Sequence, residues 1–265
     1  MMNFRTLIVF ALSCAFGAGF SFGGDWSRFR GDNGQGISDD AAVPVEWSGK
    51  KNIRWKLELP GMGSSSAVVA NGKVFVTCFS GVAEGQADVT GLKRHIVCVD
   101  QSGGEVLWQK TIAAIQPEDP YRGFITEHGY ASNTPLVSGG RLFVYLGKSG
   151  IHAFDLKGKK LWSKSLGTGS TRRKWGSAAS PVMVGDTLVV SAAEEALAVF
   201  GLDPATGEEK WKAEGDSLEM AYATPATMKS KEGRIDLVLP VPGEIWGINP
   251  ENGKLRWYAP TGITG

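Results

Sequence analysis

The feature that most constrains this chain is a tryptophan that returns about every 50 residues. The recurring residues are Trp55, Trp108, Trp162, Trp211 and Trp257. An Asp or Asn precedes each of the last four by seven or eight positions, at Asp100, Asp155, Asp203 and Asn249. A glycine-containing turn lies between the two, most clearly at Gly207 and Gly253. Such a period indicates a repeat protein in which each unit packs on its neighbours.

Upstream of each turn, the same order of short apolar segments returns. A small residue, usually followed by proline, opens a first strand, as at Ser180-Pro181, and a Gly or Asp turn leads to a second strand. The predicted second strands are Lys73–Val76, Arg141–Val144, Thr187–Val190 and Ile235–Leu239. A third strand ends at the Asp or Asn, and a fourth carries the tryptophan. Four turn-punctuated strands in about 45 residues predict one blade of a β-propeller.

Each element of the repeat has a physical reason. The glycine adopts a left-handed backbone conformation in the turn between the third and fourth strands. The Asp or Asn side chain accepts backbone N–H bonds across that turn. The tryptophan is large enough to fill the wedge between neighbouring blades, where it buries on the order of 200 Å².

At these residues the chain resembles the pyrroloquinoline-quinone-like propeller repeat family, whose tryptophan-docking motif is Ala-x-Asp-x-x-Thr-Gly-x-x-x-Trp. The third copy, Asp203 to Trp211, matches from the Asp onward, whereas the first and fourth copies replace the Thr and the second is one residue short. The resemblance covers residues 52–265. It implies an all-β fold of four-stranded antiparallel blades and leaves the activity open. Residues 24–51, which open with Trp26-Ser27-Arg28-Phe29-Arg30-Gly31, resemble the entry segment of exported members.

The repeats predict an incomplete ring. Four full blades follow a strand at residues 52–59, and in propellers such an N-terminal strand usually completes the last blade. The resembling family closes with seven or eight blades. Two explanations compete, a truncated gene product and a ring closed by a second chain, and we favour truncation.

The N-terminus predicts export. A basic start is followed by an uncharged, partly apolar run, and Ser21-Phe22-Gly23 suits signal peptidase, so residues 1–23 are a predicted signal peptide. Cys14 follows a poor lipoprotein box, and we expect no lipid anchor. A transmembrane anchor is the alternative, but the uncharged run at residues 6–23 barely reaches about 18 residues and is broken by glycine and serine, and no other run is long enough to predict a membrane span. We therefore expect a periplasmic or extracellular protein. The net charge of +1 gives no case for nucleic acid.

Two cysteines, Cys78 and Cys98, lie on the second and third strands of the first blade. A tight hairpin at residues 148–151 of the second repeat would set Val144 opposite Asp155. Carried over to the first repeat, that register sets Cys78 opposite Cys98. Facing cysteines could form a disulfide that closes a loop of about 20 residues and contributes roughly 3 kcal/mol. Two buried free thiols are the alternative, and the sequence leaves both open.

Three loops are predicted to share one face of the ring: residues 80–93, 112–130 and 167–175. Polar and aromatic side chains converge there, and we expect this face to bind a protein partner or a small ligand. The alternative is that long loops merely tolerate such decoration. The candidate residues are Arg122, Glu127, His128, Tyr130, Arg172, Arg173 and Trp175.

We predict no catalytic residue, metal site or cofactor, because the three histidines lack metal-ligand spacing and no nucleophile motif is present. The primary hypothesis is a non-catalytic binding or assembly scaffold, similar in kind to outer-membrane assembly propellers. The alternative is a fragment of a quinoprotein dehydrogenase, for which the resemblance would imply pyrroloquinoline quinone (PQQ), Ca²⁺ and an adjacent cysteine pair. No adjacent cysteines occur. A glycan-active enzyme would need a pair of acids such as Glu118 and Glu127.

Overall fold

A computed structural model describes residues 24–40 and 43–262 of the chain. The predicted signal peptide at residues 1–23, with Cys14, lies outside the described residues. Sixteen strands form four separate four-stranded antiparallel sheets, and in each sheet the strands pair in chain order. The prediction of an all-β propeller with four-stranded blades is confirmed.

The strands of the first two blades have the following bounds. Blade 1 consists of β1 (Val68–Ala70), β2 (Lys73–Ser80), β3 (Lys93–Asp100) and β4 (Val106–Ala113). Blade 2 consists of β5 (Leu136–Ser138), β6 (Arg141–Tyr145), β7 (Ile151–Asp155) and β8 (Lys160–Lys164).

The other two blades repeat this plan. Blade 3 consists of β9 (Val182–Val184), β10 (Thr187–Ala192), β11 (Ala198–Leu202) and β12 (Glu209–Glu214). Blade 4 consists of β13 (Ala226–Lys229), β14 (Ile235–Val241), β15 (Glu244–Ile248) and β16 (Leu255–Pro260). The helix α1 (Ala193–Ala196) joins β10 to β11. Among the described residues, no helix is long and apolar enough to cross a membrane.

The core lies between the blades, where apolar side chains of facing sheets meet. Phe75 and Ile96 of blade 1 pack with Leu142 and Val144 of blade 2. Equivalent clusters join blade 2 to blade 3 and blade 3 to blade 4. Because blades 2 and 3 bury both faces against neighbouring sheets, their middle strands are continuous apolar runs, and the stability of one blade depends on the next.

Trp108, Trp162 and Trp211 each lie against the turn of the following blade, whereas the Trp257 indole donates to Asp236 of its own blade. The indole nitrogen of Trp108 donates to the carbonyl oxygen of Leu156 at 3.2 Å. Trp162 and Trp211 make the same bond to Pro204 (3.2 Å) and Pro250 (2.8 Å). The ring stacks on the glycine of that turn, and a Cβ on Gly207 would lie 2.6 Å from Trp162. With φ at +76°, Gly207 occupies a position that both the turn and the indole restrict to glycine.

A small residue on the third strand lies directly opposite each tryptophan. These residues are Cys98, Ala153, Gly201 and Gly247, and a β-bulge follows each of them. A Cβ on Gly201 would lie 2.1 Å from Trp211, so the indole covers the strand itself. Cys98 therefore takes the place of a small apolar residue beneath Trp108.

The acid or amide before each turn accepts backbone hydrogen bonds. The Asp155 carboxylate accepts from the backbone nitrogens of Lys157 and Lys159, both at 2.9 Å. Asp203 and Asn249 accept in the same way from residues two positions on. These bonds close the turn on which the preceding tryptophan rests.

The predicted pairing of Cys78 with Cys98 is wrong. Cys78 lies opposite His95, and Cys98 lies opposite Phe75, which is three residues or about 10 Å further along the strand. The two side chains also lie on opposite faces of the sheet, in different core clusters. Both are buried free thiols, and a bridge would require Cα atoms within about 7 Å.

The predicted and observed registers differ because the connection between β6 and β7 of blade 2 is longer than the tight hairpin that the sequence predicted. The last β6–β7 pair is Tyr145 with Ile151, and the residues between them form a 3-10 turn rather than a tight hairpin. Gly147 and Gly150 both adopt positive φ, at +56° and +83°, which allows the longer connection. Arg141, not Val144, lies opposite Asp155, and the same three-residue displacement carries through to blade 1.

Residues 52–59 form no ladder with any described strand, contrary to the predicted strand. Trp55, Leu57 and Leu59 instead pack against blade 1 beside Val97 and Val99. The indole of Trp55 donates to the carbonyl oxygen of Gln101 at 2.9 Å. Trp55 thus makes on blade 1 the contact that Trp108, Trp162 and Trp211 make on the blades that follow them.

The entry segment runs along the first strands of the blades. Trp26 exchanges two backbone hydrogen bonds with Val69 of β1, at 2.7 and 3.0 Å. The carbonyl oxygen of Ser27 accepts from Val137 of β5 at 2.8 Å. In the described residues, the corresponding edges of β9 and β13 make no such bonds.

Candidate functional site

Three loops meet on one face of the propeller. The loop between β2 and β3 is joined to the β4–β5 connection through Gly85 and Tyr121, with a backbone bond of 2.8 Å. The Ser170 hydroxyl of the β8–β9 connection donates to the Asp119 carboxylate at 2.8 Å. The segments that the sequence assigned to one face are therefore in contact.

Two buried ion pairs lie beneath these loops. Arg94 of β3 contacts Glu118 at 2.7 Å, and both side chains are at most 5% exposed. Lys148 contacts Asp119 at 3.2 Å and lies 3.8 Å from Glu118. Arg94 also donates to the carbonyl oxygen of Tyr130 at 3.1 Å. Because a buried charge is costly without a partner, these pairs fix the β4–β5 connection to blades 1 and 2.

Two further buried carboxyl groups come from helix α1. Glu194 accepts hydrogen bonds from the backbone nitrogen (3.1 Å) and hydroxyl (2.7 Å) of Thr171. Glu195 accepts from the Tyr145 hydroxyl at 2.7 Å. Burial raises the pKa of Glu195 to about 7, with the nearby carboxylates of Glu194 and Glu118 adding to the effect. Burial likewise raises the pKa of Glu194.

Together these residues form a buried charge cluster: Arg94, Glu118, Asp119, Lys148, Glu194 and Glu195. The cluster encloses a cavity of about 20 Å³, which is room for one water molecule. Four carboxyl groups face two cations, so full ionisation would leave an excess of buried negative charge. The contacts within the cluster hold the loops in place. In the described part of the chain, no group of three or more His, Cys, Asp or Glu residues forms a metal site.

An aromatic row lies on the connections between blades. We use this name for Phe124, Trp175 and Tyr222, which come from three successive blade connections. The Phe124 and Trp175 ring centroids are 4.4 Å apart, and those of Trp175 and Tyr222 are 5.5 Å apart. The Arg173 guanidinium lies 4.6 Å from the Trp175 ring centroid, in cation–π contact. Phe124 is 52% exposed, so the row presents apolar surface to solvent.

The structure separates the predicted binding residues into three groups. His128 contacts the backbone of the aromatic row, since its Nε2 lies 2.7 Å from the carbonyl oxygen of Trp175. Its Nδ1 lies 2.6 Å from the Ser132 hydroxyl. Burial lowers the pKa of His128. Tyr130 is buried and donates to the carbonyl oxygen of Asp119. Arg122 and Glu127 are exposed on the loop, and Arg172 pairs with Glu219 at 2.9 Å.

The two acids considered for glycan chemistry do not share an environment. Glu118 is buried against Arg94, whereas Glu127 is exposed. They do not present a pair of carboxyl groups to a common opening.

Sequence reasoning missed the residues that support and extend this site. Arg94, Lys148 and the Glu194-Glu195 pair were available as charged residues inside or beside apolar strands, a position that usually requires a partner. Phe124 and Tyr222 carried a weaker signal, since an aromatic residue in a loop is often core. Their stacking on Trp175 depends on how successive blades are arranged.

A groove adjoins the aromatic row at the first strands of blades 3 and 4. It has a volume of about 430 Å³, and Tyr222 forms one wall. The opposite wall is the entry segment, including Arg28, Arg30 and Asn33. Of the described residues that line it, the two arginines are the only charged ones.

These features define the class of protein. Four-stranded blades, joined by tryptophans that rest on the turns of their neighbours, make a β-propeller of PQQ-like repeats. The chain belongs to the family described as outer membrane protein assembly factor BamB, whose model matches residues 52–235, more than two thirds of the chain.

Solved structures show the same fold. BamB from Moraxella catarrhalis matches with a TM-score of 0.52 at 18% identity, covering 78% of this chain and 51% of that protein. The quinohemoprotein alcohol dehydrogenase ADHIIG from Pseudomonas putida HK5 matches with a TM-score of 0.50 at 17% identity, covering 78% of this chain and 35% of the enzyme. This chain thus spans about half or less of the length of each. A search of curated proteins finds no significant match.

Proposed function

We propose that this protein is an exported, non-catalytic scaffold that binds a protein partner through the aromatic row and Arg173. Membership in the assembly-factor family supports a scaffold role in general. The observation that carries the finer proposal is a row of contacting rings on three blade connections, exposed at Phe124 and half-buried at Trp175 and Tyr222.

Such a surface suits protein recognition. Aromatic residues and arginine are enriched where interfaces derive most of their binding energy, because they bury large areas with few rotatable bonds. The row is also held before binding. His128 contacts the Trp175 carbonyl oxygen, and the Thr171 backbone is fixed by Glu194. A surface that is already ordered loses little conformational entropy when a partner binds.

Site-specific photo-crosslinking in the exporting cell tests the proposal. A photoreactive residue at position 124 should give a discrete adduct whose mass identifies one polypeptide, and the adduct should be lost in a Trp175→Ala background. The same probe at position 157, in an exposed turn of blade 2, is the matched control. Equal adduct patterns at the two positions, or an adduct that survives Trp175→Ala, would contradict the proposal.

The proposed export is tested separately. The protein recovered from the periplasm or medium should begin at or near Gly24, as expected for removal of residues 1–23. Recovery of an intact Met1 terminus in the cytoplasm would contradict export.

The dehydrogenase alternative has no specific observation in its favour. The match to the alcohol dehydrogenase is low in identity and carries the fold alone. The adjacent cysteine pair that the resemblance would imply is missing, and Cys78 and Cys98 lie on opposite faces of a buried sheet. Addition of PQQ and Ca²⁺ to the purified protein should leave its absorption spectrum equal to the sum of the components. A new bound-quinone band would favour the alternative.

A further inference from the structure

The groove beside the aromatic row has the features of a peptide site. One wall is the entry segment, with Arg28 and Arg30, and the other includes Tyr222, Thr224 and β13. We propose that this groove binds an extended acidic segment of the partner protein, which pairs with the free edge of β13 and places its carboxylates against the two arginines. That the segment belongs to the partner protein rests on the proposed function. The evidence for a peptide site comes from the residues of the groove and does not depend on that function.

The electrostatic argument starts from the arginines. Arg28 is buried, and its Nε donates only to the backbone carbonyl oxygens of Gly31 and Asp32, each at 3.2 Å. Arg30 is exposed and donates to the carbonyl oxygen of Gln35 at 3.3 Å. In the described residues, neither arginine forms a salt bridge. Asp32 of the same segment interacts electrostatically with Arg28 but does not line the groove. Among the described residues, no acidic side chain lines the groove, so an occupant that supplies carboxylates would give Arg30 an acidic partner and add one for Arg28.

The backbone argument concerns the first strands of the blades. The entry segment already pairs with β1 at Val69 and with β5 at Val137. The next edges in the series are those of β9 and β13, which have no such partner within the part of the chain that the structure describes. All four residues of β13 are exposed. An extended peptide can add to such an edge by main-chain hydrogen bonds.

The volume of the groove agrees with a short segment. At about 430 Å³ it lies in the range of small-ligand pockets, and it holds a few extended residues. Tyr222 belongs both to the groove and to the aromatic row. A partner that lies across the row could therefore continue into the groove without a break.

Fluorescence anisotropy with defined peptides tests the charge requirement. The probe is a labelled octapeptide that alternates Glu with Val or Thr, and the protein is the full mature chain. Variants of the peptide carry Gln or Lys in place of every Glu. We expect the Glu peptide to bind at least tenfold more tightly than either variant, and its affinity to fall as ionic strength rises.

Two matched protein variants locate the site. Arg30→Gln removes an exposed charge from the groove and should weaken binding of the Glu peptide about fivefold. Lys157→Gln removes an equivalent charge from an exposed turn outside the groove and should leave binding unchanged. Trp175→Ala tests the aromatic row separately. A crosslink at position 124 that survives this substitution, together with retained peptide binding, would overturn the proposed function but not this site.

Hydrogen exchange supplies the readout of strand pairing. The bound peptide should slow exchange of amides in residues 226–229 and leave Val137, which is already paired, unaffected. The absence of protection in β13, equal affinity of the Gln peptide, or full retention of affinity in Arg30→Gln would each overturn the proposal. Displacement of the peptide by inorganic phosphate at matched ionic strength would also overturn it, because the groove would then be a small-anion site.

Discussion

The substitution Glu195→Gln isolates the titration of one fully buried carboxyl group. The amide oxygen of Gln can still accept the hydrogen bond from the Tyr145 hydroxyl, so the change removes ionisation and little else. Burial raises the pKa of Glu195 to about 7, whereas a glutamate in the unfolded chain has an ordinary pKa of about 4.5. The folded protein therefore keeps a proton on this group in a pH range where the unfolded chain has released it.

The sign of the effect follows from proton linkage. Between pH of about 4.5 and about 7 the native state binds more protons than the unfolded state, so the wild-type free energy of unfolding falls as pH rises. The two pKa values correspond to a loss of about 3 kcal/mol across that window. Glu195→Gln abolishes this loss. The variant should be close to the wild type at pH 5 and more stable by about 2–3 kcal/mol at pH 8.

Urea unfolding, followed by tryptophan fluorescence from pH 5 to pH 8, measures the difference. Glu209→Gln is the control, since Glu209 is an exposed acid on β12 of the same blade. Its curve should run parallel to that of the wild type. A constant difference between Glu195→Gln and the wild type would refute the reasoning. A variant that becomes progressively less stable than the wild type at high pH would show that Glu195 is ionised and favourably paired.

Three further substitutions or measurements test the fold. Gly207→Ala places a Cβ 2.6 Å from Trp162 at a residue with positive φ, so it should lower the free energy of unfolding in urea by about 3 kcal/mol or more. The control Gly140→Ala also has positive φ, but nothing lies within 4 Å of its Cβ, so it should lower that free energy by only about 1 kcal/mol. Cys78 and Cys98 are free, so titration of the denatured mature protein without reductant should count two thiols. Denaturation is needed because burial raises the pKa of Cys98 to about 11 in the folded protein. A count of zero would contradict the observed strand register. Asp236→Ala should lower the free energy of unfolding in urea by about 3 kcal/mol, because it removes the carboxylate that Arg234, Arg256 and the Trp257 indole share. A decrease of less than about 1 kcal/mol would contradict that role.

The four strands of each blade could be predicted from the sequence, because the turns between them depend on residue types that lie close together in the chain. The turn at Asp203 to Gly207 needs a side-chain acceptor and a left-handed glycine, and both are visible as residue types. The second strands begin at Lys73, Arg141, Thr187 and Ile235, as predicted, because each follows a recognisable turn.

The strand register was harder to predict, because it depends on the conformation of a connection. A 3-10 turn at Gly147–Ser149 and a tight hairpin are both compatible with a Gly-rich segment. They differ by three residues in pairing, which is enough to separate two cysteines that would otherwise face each other. Turn length sets register, and a single sequence does not specify it here.

The site was predictable only as a set of loops, since its specific contacts join residues from different blades. Trp175 was visible as an aromatic residue among basic neighbours. Its stacking on Phe124 and Tyr222 depends on the angle between blades, which no local pattern encodes. The same holds for Glu194 and Glu195, whose partners are Thr171 and Tyr145 on other segments.

Residues of the buried charge cluster hold the two connections that carry Trp175 and Phe124. Substitutions in the cluster should therefore change the aromatic row. Glu194 holds the backbone of Thr171, only four residues before Trp175, and Asp119 holds Ser170. The pair of Arg94 with Glu118 anchors the connection that also carries Phe124. Loss of a buried partner should therefore displace the ring on the connection that it anchors, Trp175 for Glu194 and Phe124 for Arg94. A substitution at Arg94 should reduce crosslinking at position 124 as strongly as one at Trp175, and its effect on unfolding should distinguish this indirect route from direct loss of contact.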